Sequence, residues 1–532
     1  MNIPKIPYIL EKDRTALVST LLEIIHLQQE KIQQLKDEIA ILKGQKARPD
    51  IKSSQLEKDT KNNDGEDENN SDGKRPGSEK RQKTKELEIH EEKKIKPENI
   101  PPGSIFKGYK EYVVQDIVIK TYNIKYMLEC WQTPDGDYII GKLPAEVSEG
   151  HFGSTLISFI LYQYYQGHVT QPLILEEVRE FGVDISAGQV NHIITEGKEK
   201  FHTEKAEILR AGLEVSQYIN VDDTGARHQG RNGYCTHIGN ELFVWFESTD
   251  SKSRINFLGL LRGEYGDYVI NSDALDYMAA NKLPKEQLAK LGSLGDMSFE
   301  NEKKWKEKLQ ALDITKERHI RIATEGALLG SVLEHGFNKE MVIISDDAGQ
   351  FNVFWHALCW VHTDRIINKL VGFNDEQRKV LEETRSKIWK LYADLKDYKN
   401  SPNEEKKNLI EKRFDEIFTT KTCFASLNQT LKRIYANRSE LLLVLKRPEI
   451  PLHNNLSEND IRDYVKKKKI SGSTRSSPGR RCRDTFASLK KTGRKLHVSF
   501  WAFLNDRVGR KNIIPWLPDL IRAKVLEILH VM

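Results

Sequence analysis

The chain has 532 residues, 38% of them hydrophobic, and a formal net charge of +5. This length allows about two to four domains with sizeable cores, and the positive charge is concentrated towards the C-terminal part. The 5 cysteines are scattered without a CxxC pair, which argues against a disulfide scaffold or a cysteine-rich zinc ribbon. The start is too polar for a signal peptide and no stretch of about 18 apolar residues occurs, so we expect a cytoplasmic protein that is neither secreted nor membrane-embedded.

The first predicted element is a coiled coil within residues 1–45. Its seam is formed by Val18, Leu21, Ile25, Gln28, Ile32, Leu35, Ile39 and Leu42. β-Branched residues on one core position and leucines on the other favour a parallel homodimer, and the polar Gln28 is suited to fixing the register. An amphipathic helix folded back on its own domain is the alternative.

Residues 46–103 are rich in Lys, Glu, Asp, Asn, Gly and Pro and are nearly without aromatic residues. Such a segment has too little apolar surface to offset the entropy of ordering, so it predicts a disordered, charged linker.

A small mixed module of the DNA-binding type is expected over 104–212. It starts with the alternating stretch "YKEYVVQDIVIKTYNIKYMLECW" and a "PDGD" turn, which predict β-strands.

The second half of this module has the pattern of two helices around a tight turn. Pro172 marks a helix start and Gly182 a helix stop, and Ser186 with Gln189 forms a capping box. The pattern is compatible with a helix-turn-helix, but the second helix is poor in arginine. Simple helix packing therefore explains it equally well.

Two pairs of aspartates follow predicted strands. "VSQYINVDDTG" ends on Asp222 and Asp223, and "VIISDDAGQFN" contains Asp346 and Asp347. The intervening "YCTHIGNELFVWFES", with a hairpin turn at Gly239, and "SRINFLGLL" predict further strands of the same sheet. Carboxylates that converge from separate strands repel unless a cation lies between them. The pattern indicates Mg²⁺, with Mn²⁺ as a substitute, in phosphodiester chemistry.

Such chemistry needs a third carboxylate, and Glu458 at the start of a helix is the best candidate. Asn455 three residues earlier favours a helix-capping interpretation of Glu458 when it is considered alone. The basic neighbourhood favours the functional interpretation, because such side chains are suited to phosphate contacts. The expected DNA-binding residues are Arg462, Lys466, Lys467, Lys468, Lys469, Arg475, Arg480 and Arg481.

Three blocks, "VDDTGARHQG", "ISDDAGQFN" followed by "HALCWVH", and "HNNLSENDIRDYVKKKKISGS", resemble the signature blocks of bacterial transposases of the insertion sequence 66 family. The resemblance implies an α/β, ribonuclease-H-like catalytic core of the DDE class. It matches Asp222, Asp346 and Glu458 to the catalytic and metal-binding triad and makes Asp347 a bystander. Asp273, also after a predicted strand, remains an alternative to Asp346.

The resemblance has further implications for individual residues and for the domain organisation. Cys359 and His362 match a Cys-x-x-His signature and are expected to be structural, because no second pair completes a zinc site. The catalytic domain is expected over 213–512, with helical insertions at about 279–340 and 375–437. A C-terminal helix is expected over 513–532.

The function implied is that of a magnesium-dependent transposase. It would bind the inverted ends of its own element and transfer the cut strand to target DNA in the bacterial nucleoid, with or without accessory proteins. Two alternatives remain. One is an immobile or domesticated nuclease, and the other is a non-catalytic coiled-coil DNA-binding regulator whose aspartates are turn residues.

Overall fold

The computed structural model describes residues 89–110, 112–144 and 150–531, together with Val18, Leu21, Ile24, Ile25 and Gln28. These five N-terminal positions are helical. The predictions of a coiled coil over 1–45 and of a linker over 46–103 otherwise lie outside the described residues, except for the exposed stretch 89–103.

The described part of residues 89–144 contains one short antiparallel hairpin, β1 (Cys130–Gln132) and β2 (Tyr138–Ile140), and otherwise no helix or strand. The turn between the strands has Gly136 at φ +90°, as expected for "PDGD". Most of the large apolar side chains here are exposed. The alternating pattern thus gives one hairpin rather than the β-rich start that we predicted, because strands form only where a partner strand is available.

Four helices follow: α1 (Ser154–Tyr165), α2 (Gln171–Glu180), α3 (Ala187–Thr195) and α4 (Glu199–Val215). The predicted signals between α2 and α3 are confirmed. Gly182 has φ +85°, and Ser186 and Gln189 exchange both bonds of a capping box. Helix α3 packs through Val190, Ile193 and Ile194 and exposes its opposite face.

A mixed sheet of five strands lies at the centre of the fold. The strands are β3 (Tyr218–Gly225), β4 (Tyr234–Gly239), β5 (Val244–Thr249), β8 (Val342–Ser345) and β9 (Trp355–Leu358), in the order β5-β4-β3-β8-β9. β3, β4 and β5 are antiparallel, whereas β8 and β9 run parallel to β3. The predicted hairpin turn at Gly239 is confirmed. Every residue of β8 is buried, as expected for a parallel strand covered on both faces.

The prediction of a strand for "SRINFLGLL" is wrong, because α5 (Arg254–Arg262) occupies it. The Ser253 hydroxyl accepts a hydrogen bond from the backbone N–H of Asn256 and caps this helix. Helical spacing then buries Phe257, Leu258 and Leu261 on one face. An amphipathic helix therefore buries the same apolar residues that we assigned to a strand.

Most of the segment between α5 and β8 is helical, as predicted for 279–340. Its helices are α6 (Ser272–Ala280), α7 (Lys285–Gly292), α8 (Glu302–Ala311) and α9 (Glu317–Glu334). Two short strands, β6 (Tyr268–Ile270) and β7 (Met297–Phe299), pair with each other in a separate sheet. Asp273 therefore follows a strand that does not belong to the five-stranded sheet.

The second predicted insertion, 375–437, consists of α11 (Asp375–Asn400), α12 (Glu404–Phe418) and α13 (Ala425–Ala436), preceded by α10 (Trp360–Asn368). Its apolar side chains form one core with Val342 and Ile344 of β8 and Ala357 of β9. The insertion thus packs directly on one face of the central sheet.

The short α14 (Arg438–Leu441) and a 3₁₀ turn (Leu443–Leu445) lead into the last helices, which are α15 (Asn455–Ser471), α16 (Ser477–Lys495), α17 (Phe500–Val508) and α18 (Leu517–Val531). Side chains of α1 to α4 share one continuous hydrophobic core with the sheet, α16 and α18. The domain boundary predicted at residue 213 therefore does not separate two hydrophobic cores. None of the helices in the described ranges is long and apolar enough to cross a membrane.

Candidate functional site: three carboxylates at one end of the sheet

β3 carries Asp222 and Asp223 near its C-terminal end, and the two side chains point to opposite faces of the strand because strand side chains alternate. Asp223 accepts hydrogen bonds from the Thr236 hydroxyl (2.6 Å) and the Gln350 side-chain amide (3.0 Å). Asp222 accepts the backbone N–H of Asp223 at 2.7 Å. Asp223 is thus fixed by neighbouring side chains on its own face of the strand.

Asp346 stands directly after β8, the parallel neighbour of β3. The pairing of the two strands ends at Asn220 and Ile344, so Asp222 and Asp346 each lie two residues beyond the last pair. Burial, followed by the charge of Asp346, raises the pKa of Asp222 from 3.8 to about 7. Two carboxylates from adjacent strands therefore face the same space.

Glu458 lies in the first turn of α15, and its charge also raises the pKa of Asp222. The Arg365 guanidinium donates to both of its oxygens, with Nη1 at 2.6 Å and Nη2 at 3.1 Å. His362 Nε2 lies 3.5 Å from the carboxylate. Burial by itself raises the pKa of Glu458, but the hydrogen bonds and charge of Arg365, together with the charges of His362 and Arg462, bring the pKa below its ordinary value.

The capping interpretation of Glu458 is wrong. The residue at the helix N-cap is Asn454 rather than Asn455, and no side chain caps this terminus. With Asn454 as the N-cap, the third helical residue is Ser457, so Glu458 does not stand where a capping box needs its acidic residue. The carboxylate instead pairs with Arg365.

The other two aspartates considered from the sequence are held in surface ion pairs. Asp273 pairs with Lys339 (2.6 Å) beside the small β6–β7 sheet. Asp347 is exposed and pairs with Arg433 at 2.5 Å, with Asn437 also donating to it. Both carboxylates thus have basic partners at the protein surface.

Cys359 is buried at the N-cap of α10, and burial raises the pKa of its thiol to about 11. Its sulfur accepts the backbone N–H of Asn454 at 3.1 Å. His362, one turn later, contacts Arg365 and Glu458. Both residues are therefore part of the packing that holds α10 against α15.

Within the described residues, no group of three or more His, Cys, Asp or Glu side chains is arranged to hold one metal ion. The donor chemistry nevertheless fits a hard divalent cation. Asp222 and Asp346 are close enough to repel each other, and oxygen ligands of this kind suit Mg²⁺. Glu458, paired with Arg365, lies near enough for its charge to raise the pKa of Asp222.

The basic residues predicted to bind DNA fall into two groups. Five are exposed, namely Arg462, Lys466, Lys469, Arg475 and Arg481. Lys468 donates to the Gly225 carbonyl at the end of β3, and Arg480 pairs with Asp250. Lys467 is buried, and its ammonium donates to the Tyr164 carbonyl (2.7 Å) while lying 3.5 Å from the Tyr164 ring centre. We therefore leave Lys467 out of the candidate DNA surface.

Sequence reasoning missed a loop beside the first carboxylates. Residues 226–233 connect β3 to β4 and carry the exposed Arg227 and Arg231. The Gln229 N–H donates to the Thr474 carbonyl, and the Thr474 N–H donates to the Arg227 carbonyl. The loop is thus held against the basic segment after α15. The adjacent string "GARHQGR" contains the signal, but its pairing with Thr474 is a long-range contact.

Residues 301–481, which include Asp346 and Glu458, match the family described as "Transposase IS66 family". A protein of Sinorhizobium fredii described as "Uncharacterized protein y4jO" is 44% identical over 320 residues, which is 60% of this chain and 100% of that protein. The resemblance of the sequence blocks is thereby confirmed, and the chain belongs to the IS66 transposase family.

Proposed function

We propose that the protein is a DDE transposase that cleaves DNA at the ends of its own element and transfers the cut strand to a target. Asp222, Asp346 and Glu458 are the proposed catalytic carboxylates. One observation carries the proposal: on the adjacent parallel strands β3 and β8, Asp222 and Asp346 each lie two residues beyond the last pair, and the charges of Asp346 and Glu458 raise the pKa of Asp222.

The sheet topology supports a ribonuclease-H-like core. Three antiparallel strands, β3 to β5, are followed by the parallel strands β8 and β9 on the other side of β3. This mixed order puts the ends of β3 and β8 side by side. A cleft at the C-terminal ends of neighbouring parallel strands is a common location for an active site in α/β folds.

Asp222, Asp346 and Glu458 are also the proposed holders of Mg²⁺. A divalent cation bound there would activate the attacking oxygen and stabilise the leaving oxygen of a phosphodiester. The chain's own residues prepare the carboxylates. Arg365 keeps Glu458 deprotonated and oriented, because its two N–H groups bind both carboxylate oxygens.

The proposed DNA contacts are the exposed basic residues of α15 and of the segment after it, joined by Arg227 and Arg231 of the β3–β4 loop. Lys468 and the Thr474 backbone connect these segments to the end of β3. DNA phosphates bound to these basic side chains would lie beside the carboxylates. The proposed partners are DNA, a second copy of the chain and, where the element encodes them, accessory proteins, in the bacterial cytoplasm.

The test is cleavage of a supercoiled plasmid that carries the element's ends, in Mg²⁺ and in EDTA. We expect Asp346→Asn to lower the cleavage rate by about 10²–10³-fold, the usual cost of removing one group that stabilises the transition state. Asp347→Asn is the matched control, because its carboxylate pairs with Arg433 at the surface, and it should cut at the wild-type rate.

Three outcomes would contradict parts of the proposal. Cutting that survives Asp346→Asn and is lost in Asp273→Asn would assign the second metal ligand to Asp273 instead of Asp346. Cutting without joining of ends to target DNA would favour an immobile nuclease. DNA binding that is indifferent to Mg²⁺ and to Asp222→Asn, without any cutting, would favour the regulator.

A further inference from the structure

Asn454 is fully buried immediately before α15 and makes three hydrogen bonds to residues outside that helix. Its side-chain amide donates to the Val221 carbonyl at 2.8 Å, and its side-chain oxygen accepts the Asn220 amide at 2.8 Å. Its backbone N–H donates to the Cys359 sulfur at 3.1 Å. Each bond connects Asn454 to a segment that is distant in sequence.

These segments are the ones that carry the proposed carboxylates or hold them. Val221 immediately precedes Asp222 in β3. Cys359 is the N-cap of α10, the helix that carries Arg365. The Glu458 N–H, in turn, donates to the Asn454 carbonyl at 3.3 Å in the first turn of α15.

The side-chain amide of Asn454 also lies at the point where two central strands stop pairing. The pairing of β3 with β8 ends at Asn220 and Ile344, and the next carbonyl of β3, that of Val221, is taken by Asn454. Asp222 and Asp346 follow just beyond this point. The side chain thus fixes β3 at the place where the two carboxylates emerge.

An asparagine at this position would ordinarily cap its own helix. Here the terminus of α15 has no side-chain cap, because the Asn454 amide is directed to the sheet. The contact therefore sets the position of the whole helix relative to β3.

We propose that Asn454 is a positioning residue that sets the spacing of Asp222 and Glu458 for metal binding. The inference rests on the proposed function. A carboxylate pair built on two elements keeps a fixed separation only if those elements are joined near it. Asn454 supplies that joint through Val221 on one side and the first turn of α15 on the other.

The test compares Asn454→Ala with Asn240→Ala in the full chain. Asn240 is a matched control, because it is also buried and donates to the Ser216 hydroxyl (2.7 Å) and to the carbonyl of Tyr218 (3.3 Å), at the opposite end of β3. The measurements are the melting temperature in EDTA, direct Mn²⁺ binding by electron paramagnetic resonance, and kcat and KM for plasmid cleavage at a temperature where all variants are folded.

For Asn454→Ala we expect Mn²⁺ affinity to fall by about 10- to 100-fold, as for other groups that orient metal ligands. We expect kcat to fall by about 100-fold, the cost of an ångström-scale misplacement, with KM for DNA within twofold of wild type. Asn240→Ala should lower the melting temperature by a similar amount and leave Mn²⁺ affinity and kcat unchanged.

Asn220→Ala is the second variant, for the case that Asn454→Ala does not fold. It removes the amide that holds the Asn454 oxygen, and it should weaken Mn²⁺ binding in the same direction by a smaller factor. The inference is overturned if these variants bind Mn²⁺ like wild type, or if their losses match those of Asn240→Ala. A wild-type protein that neither binds Mn²⁺ nor cuts DNA would instead reject the proposed function, and this inference with it.

Discussion

Asp222 has surroundings that penalise its charge. Burial and the neighbouring Asp346 raise its pKa to about 7, from an ordinary value of 3.8. Because the folded pKa lies above the unfolded one, the folded chain holds this proton more tightly between about pH 4 and pH 7. Without a bound cation, the stability of the protein should therefore fall as the pH rises through this window and stay low above it.

Asp222→Asn should remove that penalty. In EDTA at pH 8 we expect the variant to melt a few degrees above wild type, about 1–2 °C for each kcal/mol relieved in a chain of this size, and the two to melt together near pH 4. Thermal melts from pH 4 to pH 8 measure this. Asp347→Asn, at an exposed ion pair, is the control. If the melting temperatures of wild type and Asp222→Asn change equally with pH, the charged Asp222 carboxylate does not destabilise the folded chain.

Glu458→Gln separates orientation of the side chain from its charge. Glutamine keeps the shape but is a poor Mg²⁺ ligand, and it loses the charged pair with Arg365. We expect plasmid cleavage to fall by about 10²–10³-fold. Glu405→Gln, in the exposed first turn of α12, is the control and should leave the cleavage rate unchanged. Full activity of Glu458→Gln would remove Glu458 from the proposed triad.

Individual residues could be predicted where the chemistry is local. Asp222 and Asp346 stand out because each is an acidic residue directly after an apolar strand. The partner of Glu458 could not be predicted, because Arg365 is distant in sequence and only the folded chain brings it to α15. The use of Asn454 was also hidden, because its partners Val221 and Cys359 are distant in sequence.

At the scale of elements, α15 shows why a run of like charges is not one surface. Ile461, Tyr464 and Lys467 recur every three residues and share the buried face of the helix. Burial lowers the pKa of Lys467 to about 7, with the charges of Arg483 and Lys490 adding to the effect. The helical spacing, rather than the run of lysines, decides which ammonium groups can reach DNA.

This difference predicts opposite effects of two neighbouring substitutions. Lys469→Ala should weaken duplex DNA binding and lower the slope of log affinity against log salt by about 0.9, the value for one lost phosphate contact. Lys467→Met should leave the DNA affinity and its salt dependence unchanged, because the ammonium group of Lys467 binds the Tyr164 carbonyl. Fluorescence anisotropy with a labelled duplex at several salt concentrations measures both. An equal loss in the two variants would place Lys467 at the DNA.

Elements with strong local signals were the most predictable. The capping box of α3 and the turn at Gly239 needed only a few neighbouring residues. The stretch occupied by α5 was mistaken for a strand because its apolar residues fit either structure, and the Ser253 cap was the signal that favours a helix.

At the scale of the whole molecule, the helical insertions could be predicted but the sheet order could not. Insertions show their periodicity within a single segment. The pairing of β3 with β8 joins strands more than a hundred residues apart, and local patterns carry no information about such partners. This is why Asp273 remained an alternative to Asp346 in sequence, although of the two only Asp346 follows a strand of the central sheet.

Self-association is the remaining whole-molecule prediction. The described seam positions Leu21 and Ile25 are exposed in the single chain, at 48% and 39%, as is Ile24 outside the seam, at 46%. We expect Ile25→Lys to convert a dimer to a monomer, because a charge at a core position of a coiled coil cannot be buried without cost. Light scattering measures the mass of each variant.

Ile24→Lys is the matched control, because it adds the same charge one position away from the seam and should stay dimeric. Deletion of residues 1–45 should give a monomer as well. If the deleted protein remains dimeric, the contact between subunits lies elsewhere in the chain. If Ile24→Lys and Ile25→Lys dissociate the dimer equally, the heptad assignment is wrong. A monomer that still cuts a plasmid with one end but no longer joins two ends would place the coiled coil in end pairing rather than in the chemistry.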